Sequence, residues 1–519
     1  MNIRNLIVAF ILTPVSLFAK EKKNVLFIAV DDLKPILGCY GNSFIKTPNI
    51  DRLGKRGVVF TNNHCQQAVC APSRSSLLCG LKPNHTKVWD LKTKIRDMNP
   101  NAVTIPQYFK SKGYFVTGTG KIFDTRSVDR KHDAISWSEP YSFLGDEKFM
   151  SKEYGAPALR HYQLAATKRE VAKYQRIAKE KGLRGAQINK FIQEHIKPSV
   201  ECVDVPDNAY VDGVIGLTGV ERIKQASKKQ QPFFVAVGFK RPHLPFVAPK
   251  KYWDLYQREK IPVAQYQKYA KRGPKLSYHT SGEIHSYSDI PRLETFSDIK
   301  QNIFDIDKQK ELIHGYYASI SYVDEQIGKL LDTIDSLGLN KNTIIVLWGD
   351  HGWHLGDHGL WCKHSNFEQA TRSPLIISDS SRKTGIYQYP TEFLSVFPTV
   401  CDLAGISKPS FIEGVSLKPA MDNLNRRVLD CAVSQYGRGK REGYAFRTDR
   451  YRLVVWFNKM AHHPENYSRD LIYTEELYDY DVDPLETINV VDDPSYDVVR
   501  KRLETYCFNY FEQISEREE

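Results

Sequence analysis

Five short apolar runs punctuate this chain: Asn24–Val30, Tyr114–Thr117, Phe233–Val237, Thr343–Trp348 and Pro374–Ile377. Each is nearly continuous rather than alternating, which is how a strand covered on both faces of a parallel sheet reads. Helical patterns lie between them. The clearest runs from Glu311 to Leu337, with Ile313, Tyr316, Tyr317, Ile320 and Val323 on one face. Strands alternating with helices predict an α/β fold, a large and mostly parallel central sheet flanked by helices.

Two stretches break the alternation. Residues 126–206 read as an insertion over the active-site face, with an exposed helix from Leu164 to Lys181 that is rich in Lys, Arg and Gln. Its Trp137, Tyr141, Arg160 and Tyr162 either line substrate subsites or pack the insertion's own core. After Asn425 the texture changes to short strands. Gly443–Arg447 and Tyr451–Trp456 predict a hairpin about Thr448-Asp449-Arg450, Glu476–Asp479 a further strand, and 496–514 a final helix. The expected organisation is a catalytic domain over 24–425 and a small antiparallel α+β subdomain over 426–519.

Composition narrows this further. The 519 residues are 41% hydrophobic and 26% charged, with a net charge of +12. That balance suits a globular protein with affinity for polyanions. No helix-turn-helix, zinc-finger or aromatic RNA-binding pattern is present, so nucleic acid is not the expected polyanion. Residues 1–19 join Arg4 to an apolar run, Leu6–Leu12, and end in Ser16-Leu17-Phe18-Ala19. They predict a signal peptide cleaved after Ala19, hence a periplasmic or secreted protein without stable membrane insertion. Nine cysteines would allow disulfides in such a compartment, and the absence of a C-x-x-C pair argues against structural zinc.

The candidate chemistry sits at the ends of the apolar runs. Asp31-Asp32 follows the first, and Asp350-His351 follows the fourth, in Trp348-Gly349-Asp350-His351-Gly352. Alone, either motif is an ordinary turn or cap. At strand ends both occupy the ligand-binding edge of an α/β sheet, and three carboxylates suit a hard divalent ion such as calcium. Between them lies Cys70-Ala71-Pro72-Ser73-Arg74, continued by Ser75-Ser76-Leu77-Leu78-Cys79-Gly80.

That string resembles the maturation signature of the type I sulfatases, whose cysteine is oxidised to formylglycine. Further segments are similar: Val30–Leu33, Ala236–His243, Asp350–Trp353, Leu355–Gly359, Lys363–Glu368, Leu477–Asp479 and Asp483–Glu486. Together they resemble the iduronate-2-sulfatase branch over nearly the whole length. The resemblance implies an alkaline-phosphatase-like fold, one calcium ion, a formylglycine-generating enzyme as partner, and hydrolysis of a carbohydrate sulfate ester. Uronate-containing glycosaminoglycans or algal polysaccharides are the implied substrates.

It also implies roles. Asp31, Asp32, Asp350 and His351 would hold the metal together with residue 70, and Arg74 would steady the formylglycine diol. Lys121 and Lys363 would bind sulfate oxygens, and His243 would bind or protonate the leaving alcohol. One position departs. Members of the family commonly carry a histidine two or three residues after the first lysine, where this chain has Asp124. Either a neighbouring base such as Arg126 neutralises Asp124, or a different substrate geometry is used, with His132 and His354 as candidates to fill the gap. Asp124, His354 and His358 are the further candidates for substrate binding. The same frame serves phosphodiesterases and phosphonate monoester hydrolases, and a non-catalytic glycan-binding protein could also retain it.

Overall fold

The computed structural model describes residues 22–293, 295–459 and 467–518; the segment read as a signal peptide lies outside them. Seven strands form the central sheet: β1 (Asn24–Val30), β2 (Val58–Phe60), β3 (Phe115–Gly120), β4 (Phe233–Phe239), β5 (Thr343–Gly349), β6 (Leu375–Ser378) and β7 (Gly385–Tyr387). Their spatial order is β7-β2-β6-β5-β1-β4-β3. Strands β5, β1, β4 and β3 run parallel, as their continuous apolar character demands. Along β1 the side chains alternate between two cores. Val25, Phe27 and Ala29 pack with Phe234 and Leu77, while Leu26, Ile28 and Val30 pack with Ile313, Tyr316 and Ile320.

The fifth apolar run behaves differently from expectation. Strand β6 is antiparallel to both its neighbours, so the sheet is mixed. The reason is local: the chain leaves β5 at the functional edge and re-enters the sheet from that same edge, with Gly349 N–H donating to Pro374 O at 3.0 Å. Strands β2 and β7, three residues each, are too short to announce themselves by periodicity.

Helix α1 (Cys70–Cys79) is buried along its whole length. The paired helices α2 (Ala165–Glu180) and α3 (Ala186–His195) fall within residues 126–206, and α2 buries only Thr167, Val171 and Ala178. Trp137 and Tyr162 are buried in cores shared with the rest of the chain: Trp137 packs on Phe123 and Tyr141 in the core that holds Phe27 and Phe234, and Tyr162 donates to Pro198 O at 2.8 Å and packs with Tyr210, Tyr252 and Tyr322. Arg160 is exposed. Helix α4 (Val211–Ala226) lies against α5 (Ile306–Ser336), which starts ahead of its apolar stripe because Asp305 caps it, accepting from Lys308 N at 2.8 Å.

The C-terminal part is a four-stranded antiparallel sheet, β8 (Ala432–Arg438), β9 (Arg441–Arg447), β10 (Tyr451–Phe457) and β11 (Ile472–Asp479), in that order. Thr448 N–H donates to Tyr451 O at 2.8 Å and closes the expected hairpin. Helix α6 (Asp497–Glu518) covers one face through Leu503, Cys507 and Phe511. All nine cysteines are free thiols. Among the described residues no helix is long and apolar enough to cross a membrane.

Candidate active site

The four parallel strands deliver the site. Val30 pairs with Gly349, so Asp31 and Asp350 leave the sheet side by side. Gly120 pairs with Gly238, so Lys121 emerges beside the loop that carries His243. Asp32 turns out of the strand with φ +59°, a conformation aspartate tolerates, and its N–H donates to Asp350 Oδ1 at 2.9 Å. Helix α1 points its N-terminus at these carboxylates and begins with Cys70. The helix dipole there favours an anionic group.

Cys70 Sγ lies 3.4 Å from His351 Nε2 and 3.8 Å from Asp32 Oδ1. One turn on, Arg74 is wholly buried and spends its donors on Asp350 Oδ2 (3.0 Å), Asp31 Oδ1 (2.8 Å), Ile122 O (2.9 Å) and Lys121 O. Its Nε and Nη2 each hold one carboxylate, so the planar fork ties Asp350 to Asp31. Lys121 Nζ donates to Asp31 Oδ2 at 2.6 Å. Lys363 Nζ reaches both oxygens of Asp32 at 3.0 Å and Glu283 at 3.2 Å. His243 Nε2 stands 3.2 Å from Glu283 Oε1 and 3.7 Å from Asp32 Oδ2, while Nδ1 meets Leu244 O at 2.7 Å.

These groups would accept a cation. Ligand atoms of Asp32, Cys70, Asp350 and His351 lie within 4.8 Å of one another, and those of Asp31, Asp32, Cys70 and His243 do likewise. His351 Nδ1 donates to Gly352 O at 2.9 Å, which leaves a neutral ring with its Nε2 lone pair facing Asp32 and Asp350 at 3.3 and 3.6 Å. Burial also keeps that ring neutral. Acceptors facing acceptors need a positive charge between them. Burial pushes Asp32 well up, and Asp31, Glu283 and Asp350 push it further against the pull of Lys363. Burial acts on Asp31 in the same sense, but Lys121 and Arg74 outweigh it and hold that carboxyl low. An oxygen-rich, acid-rich pocket of this kind fits a hard divalent ion.

The comparisons with known proteins decide what such a pocket belongs to. The family model described as Sulfatase matches residues 23–406, and one described as N-sulphoglucosamine sulphohydrolase, C-terminal, matches 356–513. The chain belongs to the sulfatase family. It is 31% identical to the iduronate 2-sulfatase of Homo sapiens, over 91% of each chain. It is also 31% identical to a sulfatase of Formosa agariphila, over 90% of this chain and 83% of that one. Among solved structures, a 2-O GAG sulfatase superposes with a TM-score of 0.63 at 19% identity, over 95% of this chain and 92% of that one. The phosphonate monoester hydrolase of Agrobacterium radiobacter superposes with a TM-score of 0.67 at 21% identity, over 95% and 96%. At such identities these structures show a common alkaline-phosphatase-like fold. The protein is a sulfuric ester hydrolase of the type I, iduronate-2-sulfatase-like kind.

Within this sulfatase some candidates lie elsewhere than the sequence suggests. His354 is fully buried and pairs Nε2 with Ser365 Oγ at 2.9 Å. His358 stacks on Phe367 with ring centroids 4.3 Å apart, 3.9 Å from Glu486. Both serve packing around Phe367, and neither belongs to the group of ligand atoms around Cys70. His132 likewise stacks on Phe143, at 4.9 Å. Asp124 is at the site, buried and bound to Arg126.

Conversely, sequence reasoning missed Glu283. It lies in an irregular stretch without periodicity or motif, yet its carboxylate joins Lys363 to His243. Burial raises it, but Lys363 and His243 outweigh that and keep it ionised. The C-terminal sheet also reaches this region, since Arg438 donates to His364 O and Asn366 Nδ2 donates to Gly443 O at 3.2 Å.

Proposed function

We propose that this sulfatase is an exported, calcium-dependent enzyme that removes sulfate from saccharides, using a formylglycine made from Cys70. The observation that carries the reading is the setting of Cys70. Its side chain sits at the mouth of a buried helix N-terminus, against Asp32 and His351, where a nucleophile and a divalent ion would meet. Burial pushes the Cys70 thiol well up, more than Lys121 and Lys363 can offset, so an unmodified cysteine there is a protonated and poor nucleophile. Conversion removes that difficulty. As formylglycine hydrate, residue 70 would supply one hydroxyl to attack sulfur as the S–O bond to the leaving alcohol breaks, and a second whose deprotonation expels sulfate as the aldehyde re-forms, with water then restoring the hydrate. Asp31, Asp32, Asp350 and His351 would hold the divalent ion, which would supply Lewis acidity there.

The remaining side chains have positions suited to the rest of the work. Lys121 and Lys363 offer ammonium donors to the non-bridging sulfate oxygens, where negative charge must be held through the reaction. Arg74 fixes Asp31 and Asp350 relative to helix α1. His243, anchored through Nδ1 to Leu244 O, presents Nε2 for the leaving alcohol. Burial and the nearby Lys363 bring its pKa down to about 4, and Glu283 opposes that shift. A saccharide substrate is supported by a solved relative bound to its substrate D-glucosamine-2-N,6-O-disulfate, with a TM-score of 0.65 at 21% identity over 96% of this chain and 99% of that one. The N-terminal 19 residues supply the export signal, and a formylglycine-generating enzyme is the required partner.

The test is co-expression with a formylglycine-generating enzyme, followed by peptide mass analysis of residue 70 and assay of sulfate release before and after chelation. Conversion of Cys70, activity proportional to the converted fraction, and recovery on adding calcium are expected. Full activity of wholly unconverted protein would overturn the reading.

A further inference from the structure

Asp124 lies in a chain of alternating charge that runs outward from the site. Arg74 pairs with Asp31 at 2.8 Å, Asp31 with Lys121 at 2.6 Å, Lys121 with Asp124 at 3.5 Å, and Asp124 with Arg126 at 2.8 Å. The inner members are buried. The outermost side chain, Arg126, is 47% exposed.

A carboxylate beside a sulfate site ordinarily repels its substrate. Here both carboxylate oxygens of Asp124 are engaged by Arg126, and Lys121 lies 3.5 Å away. Its Oδ1 accepts from Arg126 N at 3.0 Å and Arg126 Nε at 2.8 Å, and its Oδ2 accepts from Arg126 Nη2 at 2.8 Å. Ser127 N and Oγ both donate to Asp124 O at 3.0 Å, which fixes the turn. The guanidinium is therefore held edge-on. Both Nη1 hydrogens and one Nη2 hydrogen meet no acceptor among the described residues and point away from Asp124. Through Asp124, Arg126 stands one ion pair from Lys121, which itself holds Asp31, so it belongs to the site and not to a remote surface. Lys121, Asp124 and Arg126 together carry one net positive charge.

We propose that Arg126 binds an oxyanion of the substrate, a sulfate or a carboxylate, at the mouth of the site. Asp124 is a positioning residue that aims Arg126 without touching substrate, while Lys121 is held by Asp31. This deepens the sulfatase reading and rests on it. The pair gives this chain a cationic donor where a carboxylate alone would be unfavourable, and a fixed fork is the geometry that planar oxyanions and sulfate match best.

The experiment has two arms. In the first, inorganic sulfate and free glucuronate are titrated calorimetrically into unconverted protein and into Arg126→Ala, Arg126→Lys, Asp124→Asn and the Asp124→Asn/Arg126→Ala double variant. In the second, kcat and KM are measured for the converted enzymes on one sulfated sugar with and without a carboxylate. Loss of a charge-assisted hydrogen bond predicts that Arg126→Ala weakens the anion's affinity, or raises KM, on the order of 10- to 100-fold. Arg126→Lys should recover only part of that loss. Asp124→Asn should fall between, and the double variant should be no worse than Arg126→Ala.

A loss on both sugars and on inorganic sulfate identifies the scissile sulfate as the ligand. A loss confined to the carboxylated sugar and glucuronate identifies a second acidic group. The proposal is overturned if Arg126→Ala leaves both affinities and both KM values within about twofold, or if the two single losses add in the double variant. A wild type that binds anions but releases no sulfate would sink the sulfatase reading alone, and the calorimetric arm would still decide Arg126.

Discussion

Glu283 joins Lys363 and His243 through one carboxylate, and in the proposed mechanism this junction sets how much positive charge those two groups offer the substrate. Removing the charge in Glu283→Gln leaves Lys363 with Asp32 alone and takes away one of the groups that raise the His243 pKa. The sign follows: His243 then loses its proton at a lower pH than before. If His243 protonates the leaving alcohol, the alkaline limb of kcat moves to lower pH, and activity at neutral pH falls on the order of tenfold or more. A pH–rate profile of the two proteins checks this. Cys70, Asp31, Asp32, Asp350, His351, Lys121 and Lys363 were legible because each sits within a motif or at the end of an apolar run. Glu283 was not, since its importance comes only from the folding of a loop onto Lys363. His354 and His358 misled for the opposite reason. They belong to family-like segments, yet those segments place them against Ser365 and Phe367.

At the scale of elements, the site depends on how closely β3 and β4 approach. Lys121 N–H donates to Gly238 O at 2.7 Å, and a Cβ on Gly238 would come within 2.3 Å of the Lys121 backbone. Gly238→Ala must therefore force the two strand ends apart and displace Lys121. The expected cost is about 1–3 kcal/mol of stability, with a fall in kcat on the order of tenfold or more from the misplaced ammonium. Denaturant melts and steady-state kinetics on the same preparation would measure both. The strands themselves were readable wherever both faces are covered, as along β1, whose bounds the apolar run marks. The direction of β6 was not readable. Orientation is set by where the chain re-enters the sheet, and an apolar tetrapeptide carries no record of that.

The whole molecule is held together across the active-site loop by a buried ion network. Glu368, five residues after Lys363, accepts from Arg447 Nε at 3.0 Å and from Arg452 Nη2, and Arg452 Nε lies 3.4 Å from Glu486. The C-terminal sheet is thereby tied to the segment that presents Lys363. Breaking a buried pair leaves a charge uncompensated, so Glu368→Gln should cost on the order of 3–5 kcal/mol. Chemical denaturation would show it as a lower midpoint. The hairpin and final helix of this sheet were legible from turn residues and alternation, but β8 was not, because its burial follows contacts with the first part of the chain and not a regular period.

The central claim is that this assembly hydrolyses sulfate esters through a converted Cys70, and the shared fold of the phosphonate monoester hydrolases sets the sharpest comparison. The decisive measurement is the ratio of kcat/KM for a sulfated saccharide to that for a phosphonate monoester, on calcium-loaded protein with residue 70 converted and Cys70→Ala as control. Release of inorganic sulfate, a ratio well above one, and no turnover of either substrate by Cys70→Ala are expected. A ratio below one, or sulfate release undiminished in Cys70→Ala, would contradict the central claim.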